Sequence, residues 1–367
     1  MIDIIFTSDY EIHGNGEGSP LKLMIEPTKR LMNLLGEYDA KLTIMADVAE
    51  IMKFGEYKEI YNKDIFYFDE IISQLKLAKA SGHDVQLHIH PAYFNAKFSN
   101  QRWELDWSEY NIARLPYERL LEIIKACKNF LENHLKQIDP GYECNVFRAA
   151  NWSMKPTANI IRALIENNFK IDTSVFKFGK RSGLVNFDYT SAYSDTIPYS
   201  INENDICSFD PSGKIFEFPI YSEEKRSWQF FTINRLFRLL QTVRHPIEVK
   251  KYAMTEVDEL KRELVSQNKF NRMYTLLTRK YARKMDFNQC SGKQLIDSLI
   301  GVEKKYGNYF GKIPVVLIGH SKLFTKNNVP ALKTFLEFIN KNRSRFGFVT
   351  FDQHWKDNNR IENLFSS

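Results

Sequence analysis

The chain has 367 residues, of which 43% are hydrophobic and 26% are charged, with a formal net charge of +6. This composition is typical of a globular protein, and the sequence contains no internal repeat and no low-complexity tract. No run of residues approaches the roughly 20 apolar positions of a membrane-spanning helix, and four irregularly spaced cysteines indicate neither a disulfide framework nor a cysteine-based zinc site.

Short apolar runs alternate with helix-like stretches along most of the chain. The predicted strands are Asp3–Thr7, Lys41–Met45, Val85–His90, Asn145–Phe147, Lys170–Ile171, Ile215–Ile220, Pro314–Ile318 and Phe346–Thr350. The predicted helices are Glu26–Glu37, Phe68–Ser81, Pro116–Lys136, Pro156–Asn168 and Pro330–Asn342. This alternation predicts an α/β fold with a mainly parallel sheet. Polar residues follow so many of the strands that a barrel, whose sites gather at the carboxyl ends of its strands, is favoured over an open sheet.

The first strand ends with two acids, Asp9 and Glu11, that share one face because side chains alternate along a strand. These acids could simply cap the following loop. Beside a metal ion, however, one carboxylate can be a ligand while the other accepts a proton from water. The sequence does not decide which acid has which role.

A buried strand ends with two histidines, His88 and His90, which also share one face. A single histidine at such a position is more often a hydrogen-bonded core residue than a ligand. Two of them with this spacing predict a metal site, and a catalytic zinc ion needs about three protein ligands. A carboxylate from the first strand can supply the third. His83 has the opposite parity to His88 and is interpreted as structural.

Four further polar residues follow predicted strands, namely Asp47, Arg148, Asp172 and His320. Each has an ordinary explanation, since an arginine can be a simple ion-pair partner and a lone histidine can be a core residue. At the edge of an acidic metal site, an arginine can instead hold a catalytic carboxylate in place.

The alternation of strands and helices stops between about Trp228 and Tyr309. Three or more helices are predicted there, at about Ile233–Thr242, Ile247–Tyr281 and Gly292–Tyr306. Residues 225–312 carry roughly 19 basic and 8 acidic side chains. This basic segment predicts either a solvated helical lid or a surface for a pyrophosphate carrier or an anionic membrane. No recognisable nucleic-acid-binding module accompanies the charge, so no nucleic acid is expected as a partner.

In order, these strand-end residues resemble the motifs of the polysaccharide deacetylase superfamily (carbohydrate esterase family 4, the NodB-homology domain). The matching segments are Thr7–Glu11, Gly82–Val85 with the two histidines, Phe147–Trp152, Asp172–Ser174, Phe216–Pro219 and Leu317–Lys322. Two features depart from the family pattern. Tyr10 stands where the first motif has its second aspartate, and the histidines are spaced H-x-H instead of H-x-x-x-H.

The resemblance implies a distorted (β/α)7-8 barrel of the NodB-homology type. We expect this barrel to comprise residues 1–222 and 312–367, with a basic helical insertion or lid at 223–311. It also implies a metal-dependent carbohydrate N-deacetylase, which removes an N-acyl group, chiefly acetyl, from an amino sugar. The start of the chain lacks the basic and apolar regions of a signal peptide. We therefore expect a cytoplasmic protein, either free or peripheral on the inner face of the membrane. Its expected substrate is a nucleotide sugar or lipid-linked saccharide used for surface polysaccharide synthesis.

The resemblance also implies roles for single residues. The expected metal ligands are Glu11, His88 and His90. The expected metal is a divalent ion, with zinc favoured and cobalt, nickel or manganese as alternatives. Asp9 is expected to be the base, oriented by Arg148, and His320 to protonate the departing amine. Asp172 is expected to support His320 or Arg148.

Two other classes of function stay open from the sequence. A glycosidase also uses two carboxylates at the edge of a barrel, but it needs no paired histidines. A non-catalytic glycan-binding or scaffold protein is the other alternative, because the first two motifs are altered.

Overall fold

The computed structural model of the protein describes residues 1–12, 14, 16–230, 232–233, 236, 278–309 and 311–357. Its helices are α1 (Glu26–Gly36), α2 (Val48–Tyr61), α3 (Phe68–Ala80), α4 (Tyr117–Leu135), α5 (Ala158–Glu166), α6 (Gly292–Tyr306) and α7 (Val329–Lys341). Its strands are β1 (Ile2–Tyr10), β2 (Leu42–Asp47), β3 (Asp84–Ile89), β4 (Lys97–Ser99), β5 (Arg102–Glu104), β6 (Val146–Ala149), β7 (Ile171–Asp172), β8 (Lys180–Arg181), β9 (Phe187–Asp188), β10 (Tyr199–Asn202), β11 (Asp205–Phe209), β12 (Phe216–Glu217), β13 (Ser222–Arg226), β14 (Lys280–Lys284), β15 (Ile313–His320) and β16 (Phe346–Phe348).

The central sheet has the order β11-β10-β12-β7-β6-β3-β2-β1-β15, and β16 also pairs with β1. Strands from β12 to β15 in this order are parallel, whereas β10 is antiparallel to both β11 and β12. The sheet curls until the chain after β12 reaches β15, where Ile220 forms a bridge with Val316. The predicted distorted β/α barrel is therefore confirmed.

Strand β1 is buried along its whole length, a pattern typical of parallel strands covered on both faces. One edge of β1 pairs with β15 along its length. The other edge pairs first with β16 and then with β2.

The strand register decides which residues meet at the carboxyl end of the barrel. Asp9 lies opposite His320, and His88 lies between Asp47 and Arg148 on the two neighbouring strands. Side chains from five strands thus converge at one end of the fold.

The eight predicted strands and five predicted helices are all present, with ends shifted by no more than three residues. Helix α2 was missed, because apolar and polar residues mix around its surface and obscure the helical period. The sequence also gave no indication of the antiparallel pairs β4–β5, β8–β9 and β10–β11.

The predicted insertion is described only at its two ends. Strands β13 and β14 pair antiparallel, so residues 280 and 281 belong to a strand and not to the predicted helix. Helix α6 matches its prediction and packs on α7, where Gly292 lies so close to Ala331 that a Cβ atom would meet its carbonyl oxygen at 2.6 Å. Almost all of the first two predicted helices lies outside the described residues, and the predicted domain boundaries stay a prediction.

Within the part of the chain that the structure describes, no helix is both long enough and apolar enough to cross a bilayer.

Candidate functional site

The acid and histidine pairs predicted from the sequence meet at the carboxyl ends of β1 and β3. Oε2 of Glu11 lies 3.4 Å from Nε2 of His88 and 3.1 Å from Nδ1 of His90. All three residues are buried. Glu11 Oε2 is itself fully buried and accepts no well-formed hydrogen bond from any described residue. The three side chains therefore surround a position that a cation could occupy.

Neighbouring strands fix the orientation of both imidazoles. Nδ1 of His88 lies 2.9 Å from the carbonyl oxygen of Arg148, which leaves Nε2 facing Glu11. Asp47 contacts Nδ1 of His90 at 2.8 Å and accepts a hydrogen bond from the backbone N–H of the same residue. Asp47 stands at the N-cap position of α2, but its carboxylate makes no capping bond there and is used by the histidine. The contact to His88 uses the ring nitrogen that faces away from Glu11, as orienting contacts to metal ligands do. Asp47 instead contacts the same Nδ1 of His90 that lies 3.1 Å from Glu11, and it also fixes the backbone of that residue.

A lysine neutralises the remaining oxygen of the Glu11 carboxylate. Nζ of Lys322 lies 2.6 Å from Glu11 Oε1 and also donates to the carbonyl oxygen of Ile12. Lys322 follows β15 by two residues, so the same loop that carries His320 also places this ammonium. Only Oε2 of Glu11 is left to face the histidines.

A second acid, Asp9, forms a buried ion pair with Arg148. Nη1 of the arginine lies 2.7 Å from Oδ1 of Asp9. The guanidinium is held from behind, because its Nε donates to the carbonyl oxygen of Thr173 and its Nη2 to the Thr173 hydroxyl. Arg148 has no solvent exposure. This geometry matches the predicted pairing of a carboxylate with an orienting arginine.

His320 faces the other oxygen of Asp9, with 3.4 Å between its Nε2 and Asp9 Oδ2. The backbone N–H of His320 donates to Oδ1 of Asn288. Close packing requires Gly319 before it, since a Cβ atom there would meet the Phe287 ring at 2.1 Å. Burial is the largest influence on His320 and lowers its pKa, although the carboxylates of Asp9 and Glu11 oppose this effect.

The charges at this end of the barrel favour cation binding. Burial raises the pKa of Glu11, but Lys322 and the two histidines outweigh it and hold the pKa well below its usual range. Burial likewise opposes ionisation of Asp9, and Arg148 with His88 lowers its pKa overall. Burial disfavours protonated His88, yet the same two carboxylates raise its pKa to about 9. A field that retains a proton on an imidazole also attracts a divalent cation.

The residues present fit a metal ion. The donor set is one carboxylate and two imidazoles, which suits zinc and other first-row divalent metals. A second group of donors, from Asp9, Glu11 and His320, overlaps the first. Both groups share Glu11, so the two carboxylates and three histidines form one continuous site.

Asp172 lies deeper in the barrel, where its carboxylate accepts hydrogen bonds from the side chain and backbone of Ser174. Burial raises the pKa of Asp172. Burial and the neighbouring carboxylate of Asp172 raise the pKa of Glu217 well above its usual value. The predicted support of His320 or Arg148 by Asp172 stays a prediction. His83, interpreted as structural, accepts a hydrogen bond from the backbone N–H of Leu42 at Nδ1 and lies away from the site.

Sequence reasoning assigned no role to three residues of the site, Asp47, Glu50 and Lys322. Asp47 follows the predicted strand Lys41–Met45 by two residues, and Lys322 falls within the last matching motif, so the position of each in the sequence indicated the site. Both carboxylate oxygens of Glu50 accept a hydrogen bond from the backbone N–H of Ile12. Glu50 lies on helix α2, which the sequence analysis missed, so its position gave no indication of this contact.

Comparison with known proteins supports the fold. The sequence matches no family model and has no significant match among curated proteins. Among solved structures, one assigned as a glycoside hydrolase/deacetylase from Parabacteroides distasonis aligns over 97% of this chain and 71% of that one, at 11% identity and a TM-score of 0.56. The 4-alpha-glucanotransferase of Thermococcus litoralis aligns over 97% of this chain and 40% of that one, at 13% identity and a TM-score of 0.51. A polysaccharide deacetylase from Mycobacterium smegmatis aligns over 96% and 88%, at 12% identity and a TM-score of 0.48.

The two structures with TM-scores above 0.5 share the distorted β/α barrel that the sequence predicted. The fold is shared by proteins assigned to deacetylation and to glycosyl transfer, so it does not select a reaction by itself. The chemistry has to be argued from the side chains.

Proposed function

We propose that this protein is a metal-dependent carbohydrate N-deacetylase, which hydrolyses the N-acyl group of an amino sugar. The observation that carries the proposal is the buried Glu11 Oε2 between two oriented imidazoles. A base, Asp9, and a proton donor, His320, lie directly beside it. Amide hydrolysis needs these functions together: an electrophilic cation, a base for water and an acid for the amine.

Each side chain has a task that follows from its contacts. A divalent cation held by Glu11, His88 and His90 would polarise the acyl carbonyl and make a nearby water more acidic. Asp9, kept ionised by Arg148, accepts a proton from that water. Burial lowers the pKa of His320 and so favours its neutral form. Its Nε2 lies 3.4 Å from Asp9 Oδ2 and receives the proton that Asp9 takes from water. The resulting imidazolium delivers this proton to the departing amine nitrogen.

The glycosidase alternative fits the site less well. A glycosidase needs one carboxyl group that stays protonated to act as general acid, and therefore one raised pKa. Here Arg148 lowers the pKa of Asp9, and Lys322 lowers that of Glu11 despite burial. Neither of these two acids is suited to that role, and a glycosidase has no use for the paired imidazoles, whereas two ionised carboxylates suit a metal ligand and a base.

The test is acyl release from an N-acetylated amino sugar by the zinc-loaded full chain. We expect acetate to appear, to stop after treatment with a chelator and to return when metal is added back. The variant His88→Gln should bind no stoichiometric zinc. If the purified protein hydrolyses a glycosidic bond at equal rates with and without chelator, the protein is a glycosidase and this proposal is wrong.

The finer expectations from the sequence extend this proposal. They are a cytoplasmic precursor substrate, a role in surface polysaccharide synthesis, and contact of residues 225–312 with an anionic membrane or a pyrophosphate carrier. Sedimentation with anionic vesicles at low and high salt tests the last of these. If the protein does not sediment with the vesicles even at low salt, the proposed contact with an anionic membrane is wrong.

A further inference from the structure

The chain adopts an unusual backbone directly after the strand that carries Arg148. Asn151 and Trp152 are consecutive non-glycine residues with φ angles of 54° and 56°. The left-handed region is costly for bulky side chains, and such conformations cluster at functional sites. The turn places Trp152 beside the reaction centre, where its ring packs edge-to-face against His320 with 6.0 Å between centroids.

Aromatic side chains continue from this turn towards the solvent. The hydroxyl group of Tyr110 donates to Oδ1 of Asn151 at 3.4 Å. The Tyr110 ring packs against Trp107 at 5.3 Å, and Trp107 is 54% exposed. Exposed or half-buried aromatic faces in a row are suited to stacking against the apolar faces of sugar rings.

Two cations lie against the same two-residue turn. Nη1 of Arg181 donates to Oδ1 of Asn151 at 3.2 Å. Nζ of Lys284 lies 4.0 Å from the ring centroids of both Trp152 and Phe176. Nδ2 of Asn151 is buried and donates to no described residue, so it remains a hydrogen-bond donor for a ligand.

We propose that this group, which we name the 151–152 wall (Trp107, Tyr110, Asn151, Trp152, Arg181 and Lys284), binds an amino sugar that carries a phosphate or diphosphate group. The inference rests on the proposed function and gives its substrate class. The aromatic rings contact the saccharide, and the guanidinium and ammonium groups contact the phosphoryl oxygens. Three phosphoryl oxygens can reach two cations on separate strands more readily than the two oxygens of a carboxylate.

Binding of three probes to the full chain tests this wall by calorimetry: methyl N-acetylglucosaminide, N-acetylglucosamine 1-phosphate and UDP-N-acetylglucosamine. We expect the two phosphate-bearing probes to bind about tenfold or more tightly than the neutral one, because hydrogen bonds to charged groups are strong. Arg181→Met and Lys284→Met should each remove most of that preference while affinity for the neutral probe stays the same.

Matched controls are available on the same strands. Lys180 adjoins Arg181 and pairs with Asp188, and the exposed Lys280 lies on the strand of Lys284. Lys180→Met and Lys280→Met should leave the preference intact. Tighter binding of the UDP sugar than of the sugar phosphate supports a nucleotide-linked substrate, and equal binding supports a phosphate on any carrier.

Two results separate this inference from the proposed function. The proposed phosphate binding by the 151–152 wall alone is wrong if the protein releases acetate but binds neutral and phosphate-bearing probes equally. It is also wrong if the test and control variants have equal effects on binding. Phosphate-selective binding lost in both test variants, but without acyl release, would overturn the reaction alone.

Discussion

The ammonium group of Lys322 lies 2.6 Å from Oε1 of Glu11, across 311 positions of sequence. Both side chains are nearly buried, with 11% and 6% of their surfaces exposed. This contact leaves one carboxylate oxygen, Oε2, to face the two imidazoles. A glutamate has one more rotatable bond than an aspartate, and Lys322 removes that freedom.

Replacing Lys322 should destabilise the metal-free protein. Lys322→Met leaves the Glu11 carboxylate buried without its closest cation, and breaking such a pair costs about 3 kcal/mol. Urea unfolding of the apo-protein measures the loss. Glu11→Gln combined with Lys322→Met should recover much of it. The exposed Lys326, four residues along the same loop, gives the control variant Lys326→Met. Equal losses in the two single variants would contradict the prediction.

Asp9→Asn should abolish most acyl release while the protein still binds metal. The amide oxygen can still accept the hydrogen bond from Arg148, but it cannot take a proton from water. Loss of a general base reduces rates by roughly 100- to 10,000-fold. Acetate release measures the rate, and competition with a chromogenic chelator measures zinc affinity. The exposed carboxylate variant Asp69→Asn serves as control. A rate reduced less than tenfold would show that Asp9 is not the base.

Asp47→Asn should weaken zinc binding without removing any of the three predicted ligands. Asp47 contacts His90 through both the ring and the backbone. Loss of such an orienting partner typically weakens metal affinity about 10- to 100-fold. Zinc titration against a chelator measures the change, and Asp297→Asn on α6 is the control because its carboxylate is exposed. Unchanged affinity would mean that the ring of His90 is fixed by other contacts.

Protonation of His83 should make the fold sensitive to acid. Burial, and to a smaller extent Lys41, lowers the pKa of His83 from 6.5 to about 4. Only the neutral ring can accept the hydrogen bond from Leu42 N–H at Nδ1. The folded state therefore binds this proton less readily than the unfolded chain. Its contribution is complete above pH 6.5 and is lost as the pH falls to about 4.

Urea unfolding between pH 8 and pH 4 tests this prediction. His83→Gln should lack the pH-dependent stabilisation by His83. The difference in the free energy of unfolding between wild type and variant should therefore shrink as the pH falls from 8 to 4. Curves that stay parallel would assign the acid sensitivity to other groups. Because His83 lies away from the metal centre, zinc affinity at neutral pH should be the same in both proteins.

Much of the architecture follows from local sequence patterns. The continuous apolar run of β15 and the run that opens β1 predicted buried parallel strands, because strands covered on both faces need apolar residues at every position. Alternation along a strand was enough to place Asp9 with Glu11, and His88 with His90, on shared faces. The structure brings these two pairs into contact.

The sequence by itself determined the class of fold, the order of the motifs along the chain and the types of side chain at the barrel edge. These features depend on the periodicity and composition of local segments. Only the tertiary structure decided which groups pair there. Strand register placed Asp9 against Arg148 and His320, the missed helix α2 brought Glu50 to Ile12, and a distant loop gave Glu11 its lysine. Such contacts depend on how distant segments pack, and no local period records that packing.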